Sequence, residues 1–170
     1  VLFRSTGRKT LLDYLALENI DPRFTHSKTL PVDPHTKQLD QYPIFIIGDA
    51  HTNTPLQHEA AHEGKLVVES CLNYPNVKKI KTLVPLGIVF SSPEMAIVGQ
   101  SYKQLQQAKV DFVIGYASYE KQARALTSGQ NQGALEVYID RKSQKLLGAE
   151  IFMSAASHLA HLLAWMIDME

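Results

Sequence analysis

Cysteine is nearly absent from this chain of 170 residues: Cys71 stands alone. One thiol can form neither an internal disulfide nor a redox pair, and nothing else in the composition points to an oxidising compartment. Near the end of an apolar helical stretch, Cys71 reads as a small buried hydrophobe. Also missing is any run approaching the roughly 20 apolar residues that a membrane helix needs, and the start lacks the basic-then-apolar pattern of a signal peptide. The expectation is a soluble, cytoplasmic protein with no membrane partner. Charge of one sign is missing as well. Lysine plus arginine equals aspartate plus glutamate at 17 each, so no electrostatic surplus favours nucleic acid, and a small molecule or a protein is the expected partner.

What is present is a hydrophobic content of 45%, enough to bury one domain, or one domain and part of another. The ends look cut. Val1 opens on an apolar run without an initiator methionine, and His158–Glu170 is still helix-periodic where the sequence stops.

Along the chain, Val1-Leu2-Phe3 reads as the end of a strand and Thr6-Gly7-Arg8-Lys9 as a turn. A polar stretch, 21–42, leads into Ile44-Phe45-Ile46-Ile47, an unalternating apolar run that suggests a strand buried on both faces of a parallel sheet. Gly48-Asp49 ends it. Thr54-Pro55-Leu56-Gln57 then has the form of a helix start, with threonine as N-cap and proline at the first helical position; the helix should run to about Cys71.

Beyond the lysines at 78, 79 and 81 the pattern turns to strands. Leu83–Phe90, Met95–Val98 and Phe112–Ala117 are candidates, and Ser101-Tyr102-Lys103-Gln104 forms a capping box that opens a short helix ending near Lys109. From Gly133, strict alternation puts Leu135, Val137 and Ile139 on one face and Glu136 and Tyr138 on the other. A turn at 140–144 returns the chain as a paired strand, Leu146–Phe152. The last helix should carry Leu159, Leu162, Leu163, Met166 and Ile167 on its apolar face.

Chemistry concentrates at Gly48-Asp49 and the helix that follows. The glycine permits close approach to a ligand, the carboxylate accepts hydrogen bonds from hydroxyls, and the first helical amides, at Leu56, Gln57 and His58, are unpaired donors at a positive dipole end. A strand–loop–helix of this kind suits a ligand that is polyol and anion at once. A turn glycine followed by a helix-entry aspartate would look the same. His58-Glu59-Ala60-Ala61-His62 matches the H-E-x-x-H zinc motif by letters, yet Gly64 interrupts the helix two residues after His62, no H-x-x-G-x-x-H extension follows, and Glu69, a possible third ligand, lies only seven residues beyond His62 on the same helix, so solvated helix histidines are the simpler reading and no metal is assigned. His158 and His161 read as residues packed at a helix or subunit interface.

Together these segments resemble the FAD-dependent pyridine nucleotide-disulfide oxidoreductases. Thr6-Gly7-Arg8-Lys9 is similar to the turn that returns their chain from the NAD domain to the FAD domain. Ile44–Asp49 is similar to their second FAD motif, and Pro55–Gly64 to the helix after it. Val89–Gly99 resembles the opening of their dimerisation domain; Leu146–Glu150 and His158–Trp165 resemble its last strand and helix, in a form similar to bacterial dihydrolipoamide dehydrogenases.

The fold this implies is an α/β remnant of an FAD-binding domain, residues 1–76, followed by an α+β dimerisation domain with an antiparallel sheet, residues 82–170. It implies FAD on Gly48, Asp49, Leu56, Gln57 and His58, NAD near Gly7, and a homodimer whose parent joins a 2-oxoacid dehydrogenase complex. The implied activity of that parent is oxidation of dihydrolipoamide by NAD through FAD and a redox disulfide. The family's Gly-x-Gly-x-x-Gly, redox cysteine pair and catalytic His-Pro and Glu have no match in these 170 residues, so no catalytic residue is assigned. Two other readings remain: a cofactor-free dimerisation module, and a zinc hydrolase built on His58, Glu59 and His62.

Overall fold

A computed structural model describes residues 10–25, 30–50, 56–79 and 81–169. The chain divides into two compact units, Val1–Thr82 and Leu83–Glu170.

In the first unit, three short 3-10 turns, Leu12–Leu15, Leu17–Asn19 and Pro22–Phe24, pack with Val32, Leu39 and Ile46 into a small apolar core. Leu39 is fully buried there, and Phe24 meets the edge of Tyr42 with ring centroids 5.7 Å apart. Polar contacts supplement this core. Asp21 accepts from the Arg23 backbone N–H at 2.9 Å, from Arg23 Nη2 at 2.6 Å and from the Tyr42 hydroxyl at 3.0 Å; Arg23 also reaches Asp40 at 2.7 Å. The Arg23 hydrogen bonds hold the Asp21 carboxyl down at about 2.

The parallel strand expected at 44–47 does not form. Its backbone is used locally: Leu39 N–H donates to Ile44 C=O at 2.8 Å, Ile46 N–H donates to Lys37 C=O at 3.0 Å, and Gln38 and Phe45 form an isolated antiparallel bridge. Among the described residues no parallel neighbour flanks this segment, and the apolar run folds back on residues 37–39. Gly48–Ala50 follows as a 3-10 turn.

The expected strand at 1–3, the turn at 6–9 and the Thr54-Pro55 helix entry lie outside the described residues. Helix α1 spans Gln57–Leu72, with Leu56 at the N-cap position and no side-chain cap. Its packed stripe, Glu63, Val67 and Ser70, follows helical spacing. Cys71 points away from that stripe and is exposed, contrary to the expected burial.

Among the described residues, the second unit is a five-stranded antiparallel sheet in the order β1-β2-β5-β4-β3 with helices α2, α3 and α4. The strands are β1 Leu86–Val89, β2 Glu94–Gly99, β3 Phe112–Ser118, β4 Gly133–Asp140 and β5 Leu146–Met153. Strand β1 is shorter than the expected 83–90 because it starts only after Pro85. The β4–β5 hairpin forms as its alternation implies, with Asp140 accepting from the N–H groups of Lys142 and Ser143 in the turn.

Helix α2, Tyr102–Gln107, opens on the expected Ser101/Gln104 capping box. Tyr138 is fully buried, its ring meeting Tyr102 of α2 at a tilt and Phe112 of β3 edge to face, so the nominally polar face of β4 is covered at this end. Helix α3, Ala123–Thr127, is capped by Gln122 and was not foreseen. Five residues are too few to show a period.

Helix α4, Ala156–Met169, packs on the sheet through Ala156, Ala160, Leu163 and Ala164, with Leu159 and Ile167 beside them. Leu162 and Met166 are exposed instead of buried, as is Trp165. The alanines decide this. Small side chains let the helix approach the β2/β5 surface closely, which turns the larger apolar residues outward. His158 and His161 are exposed as well. No described helix is long and apolar enough to cross a membrane.

Candidate functional site

The expected site begins at Gly48, which takes a left-handed φ of 60°. A Cβ here would come within 2.9 Å of the Ala60 Cβ, so only glycine lets the turn lie this close to α1. Asp49, next in the chain, is exposed. The turn is also held electrostatically. Gly48 N–H donates to Glu63 Oε2 at 2.7 Å, while Glu63 Oε1 pairs with Lys37 Nζ at 2.7 Å. Both charged residues are buried, Lys37 at 7% exposure and Glu63 at 8%.

Ala60, Glu63 and Gly64 lie three and four residues apart, on one face of α1, and a Cβ at Gly64 would lie 3.6 Å from Ile47 Cδ1. That face docks α1 on Ile47-Gly48. At the start of the helix, Ala60 N–H donates to Leu56 C=O at 3.0 Å. Leu56 is therefore the cap, and the first-turn amides without an i−4 partner in the helix belong to Gln57, His58 and Glu59. Of the expected donors, Gln57 and His58 hold that position and Leu56 precedes it.

The zinc-motif residues diverge from the packed face. His58 is exposed, and His62 Nε2 lies 3.3 Å from the Lys81 carbonyl oxygen. Among the described residues no three His, Cys, Asp or Glu side chains converge as a metal site. Gly7 lies outside the described residues.

The arrangement fits a flavin's requirements in kind: a glycine with no room for a side chain, an exposed carboxylate next to it, and a helix start whose amides favour negative charge. Lys37 and Glu63 were not anticipated. Glu63 had a signal, a carboxylate on the apolar helical stripe, whereas nothing local marks Lys37 as its partner.

Comparison with known proteins decides the family. The description "pyridine nucleotide-disulphide oxidoreductase, dimerisation domain" matches residues 86–170. The chain belongs to this family. Dihydrolipoyl dehydrogenase 2 of Haloarcula marismortui is 30% identical over 97% of the chain, and the soluble pyridine nucleotide transhydrogenase of Pseudomonas fluorescens is 30% identical over 92%. The chain spans about a third of the length of the curated relatives it matches, 34% and 33% for these two. Among solved structures, LpdA of Mycobacterium tuberculosis superposes with a TM-score of 0.77 at 22% identity, covering 96% of this chain and 35% of that one. A Cu(II) complex of the HOCl-induced flavoprotein disulfide reductase RclA of Escherichia coli gives 0.72 at 17%, over 97% of this chain and 37% of that one. At such identities the superpositions establish the family fold.

Proposed function

We propose that this oxidoreductase-family chain supplies one half of a flavin seat and a dimerisation domain, within a protein that oxidises dihydrolipoamide with NAD through FAD and a redox disulfide. The observation that carries the reading is the docking of Gly48-Asp49 on α1 through Ala60 and Glu63. In this reading, residues 1–76 belong to the FAD- and NAD-binding region and 82–170 to the dimerisation domain. Asp49 accepts hydrogen bonds from the ribityl hydroxyls, and Gly48 permits the approach. The backbone around Leu56, Gln57 and His58 faces the pyrimidine edge, where a helix start stabilises negative charge. Gly7 lies close to the nicotinamide nucleotide. FAD supplies the electron-transfer chemistry when bound, and the residues of the redox step are assigned outside this sequence.

The choice of substrate rests on the relatives named dihydrolipoyl dehydrogenase. Relatives named soluble pyridine nucleotide transhydrogenase support a second reading, hydride exchange between nicotinamide nucleotides. Homodimerisation of a cytoplasmic protein, with docking to a 2-oxoacid dehydrogenase complex, completes the proposal; the exposed Leu162, Trp165 and Met166 of α4 are apolar surface available to a partner.

The test uses protein expressed from its complete coding sequence. Bound FAD, NAD reduction by dihydrolipoamide, loss of FAD in Asp49→Ala and a dimeric mass in sedimentation are expected. NADPH-to-NAD transfer without dihydrolipoamide oxidation would transfer the assignment to the second reading. A flavin-free dimer would leave only the dimerisation module.

A further inference from the structure

We infer that the buried Lys37–Glu63 pair is a positioning device for the candidate flavin seat, registering the Gly48-Asp49 turn against the N-terminal turn of α1. The inference rests on the flavin reading of that seat.

A pair of buried charges is weak evidence for stability alone, because an apolar pair of similar volume commonly holds a fold as well; geometric specificity is the role to look for. Three observations locate that role. Lys37 sits at φ 61°, a left-handed conformation that favours glycine, so a long cationic side chain is kept where the backbone disfavours one. Lys37 is itself anchored, its N–H donating to Asp33 C=O at 2.8 Å and its C=O accepting from Ile46 N–H at 3.0 Å. The ammonium is therefore delivered from a fixed backbone.

Glu63 divides its two oxygens. Oε1 meets Lys37, and Oε2 accepts the Gly48 N–H. The carboxylate thus joins the residue before Asp49 to the second turn of α1, on either side of residues 51–55. Ala60 sets the distance of approach at Gly48, and Glu63 sets the direction of its N–H. A ligand that takes Asp49 and the first-turn amides together requires both groups in one register. Lys37 and Glu63 act through Gly48 and are positioning residues.

Two double variants separate this role from bulk stability, in protein from the complete coding sequence, stripped of flavin and titrated with FAD. Lys37→Met/Glu63→Leu removes both charges and the acceptor for Gly48. Lys37→Met/Glu63→Gln removes both charges and keeps an acceptor. Thermal unfolding establishes that each is folded; if the leucine variant is not, Lys37→Met/Glu63→Met, with its unbranched side chain, replaces it. The acceptor-less variant is expected to bind FAD about tenfold more weakly than the glutamine variant, with an altered flavin visible spectrum. Parent-like FAD affinity in both folded doubles overturns the inference, whereas equally weakened binding in both assigns the positioning to the charge pair. Asp49→Ala is read separately: parent-like FAD affinity there overturns the flavin seat itself.

Discussion

The two units of this chain hold themselves together by different means. In Leu83–Glu170 the backbone satisfies itself in continuous antiparallel ladders, and α4 closes over an apolar layer that includes Val98, Ala149 and Ile151. In Val1–Thr82, by contrast, the described backbone ahead of α1 forms short turns and isolated bridges, and a small core is supplemented by the Arg23 cluster and the buried Lys37–Glu63 pair. The lesson is that a sheet distributes its stability over many equivalent contacts. An irregular segment concentrates it in a few polar ones.

Substitutions should break the units in correspondingly different ways. Of the substitutions considered, the largest effect is expected at Gly148, where a Cβ would run into the Gln100 backbone oxygen while lying 2.8 Å from Val98 O. Neither atom can yield without disturbing the ladder, so Gly148→Ala should cost about 4 kcal/mol or more, read from urea unfolding. Next is Lys37→Met, which strands a buried carboxylate and should cost about 3–5 kcal/mol. Restoring neutrality with Glu63→Gln in the same molecule should recover much of that loss. Failure to recover would mean that the first unit depends on the lysine stem and not on charge.

Val98→Ala, by comparison, deletes methyl groups from a fully buried site and should cost about 2 kcal/mol without charge dependence.

The smallest effects are in acid, and they sharpen the contrast. Glu94 Oε2 accepts the Ser157 N–H at 2.8 Å, and this hydrogen bond lowers its pKa below the ordinary 4.5. A lowered folded-state pKa gives stability that is present above the ordinary value and lost as pH falls below it. In the second unit the loss should therefore begin near pH 4.5, and Glu94→Gln should flatten it. For Asp21 the corresponding window runs from 3.8 down to about 2, and Asp21→Asn should flatten the response of the first unit there. Unfolding midpoints measured against pH check both.

Legibility followed the same division. The Gly133 alternation, the Asp140 turn and the Ser101/Gln104 capping box each express their conformation within a few residues, and each formed where expected. The run at 44–47 misled because an apolar segment records that it will be buried but not which backbone will pair with it. For α4, periodicity marked a helix without ranking its faces, and the close approach allowed by Ala156, Ala160 and Ala164 determined that Leu162 and Met166 face out. In the candidate site, Gly48-Asp49 and the helix after it stood out locally, whereas Lys37 did not, because an ion pair between segments leaves no local pattern.

The sequence by itself determined the elements whose information is short-range, together with the motifs that mark the chain as an oxidoreductase-family member. These include the sheet strands, the turns and the glycine that must precede Asp49. Only the tertiary structure decided which groups meet across distance: Glu94 at the first turn of α4, α2 over Tyr138, and Lys37 on Glu63 beneath Gly48. The physical reason is that dihedral preference and periodicity act over a few bonds, whereas burial of a charge is decided by whatever the rest of the chain brings beside it.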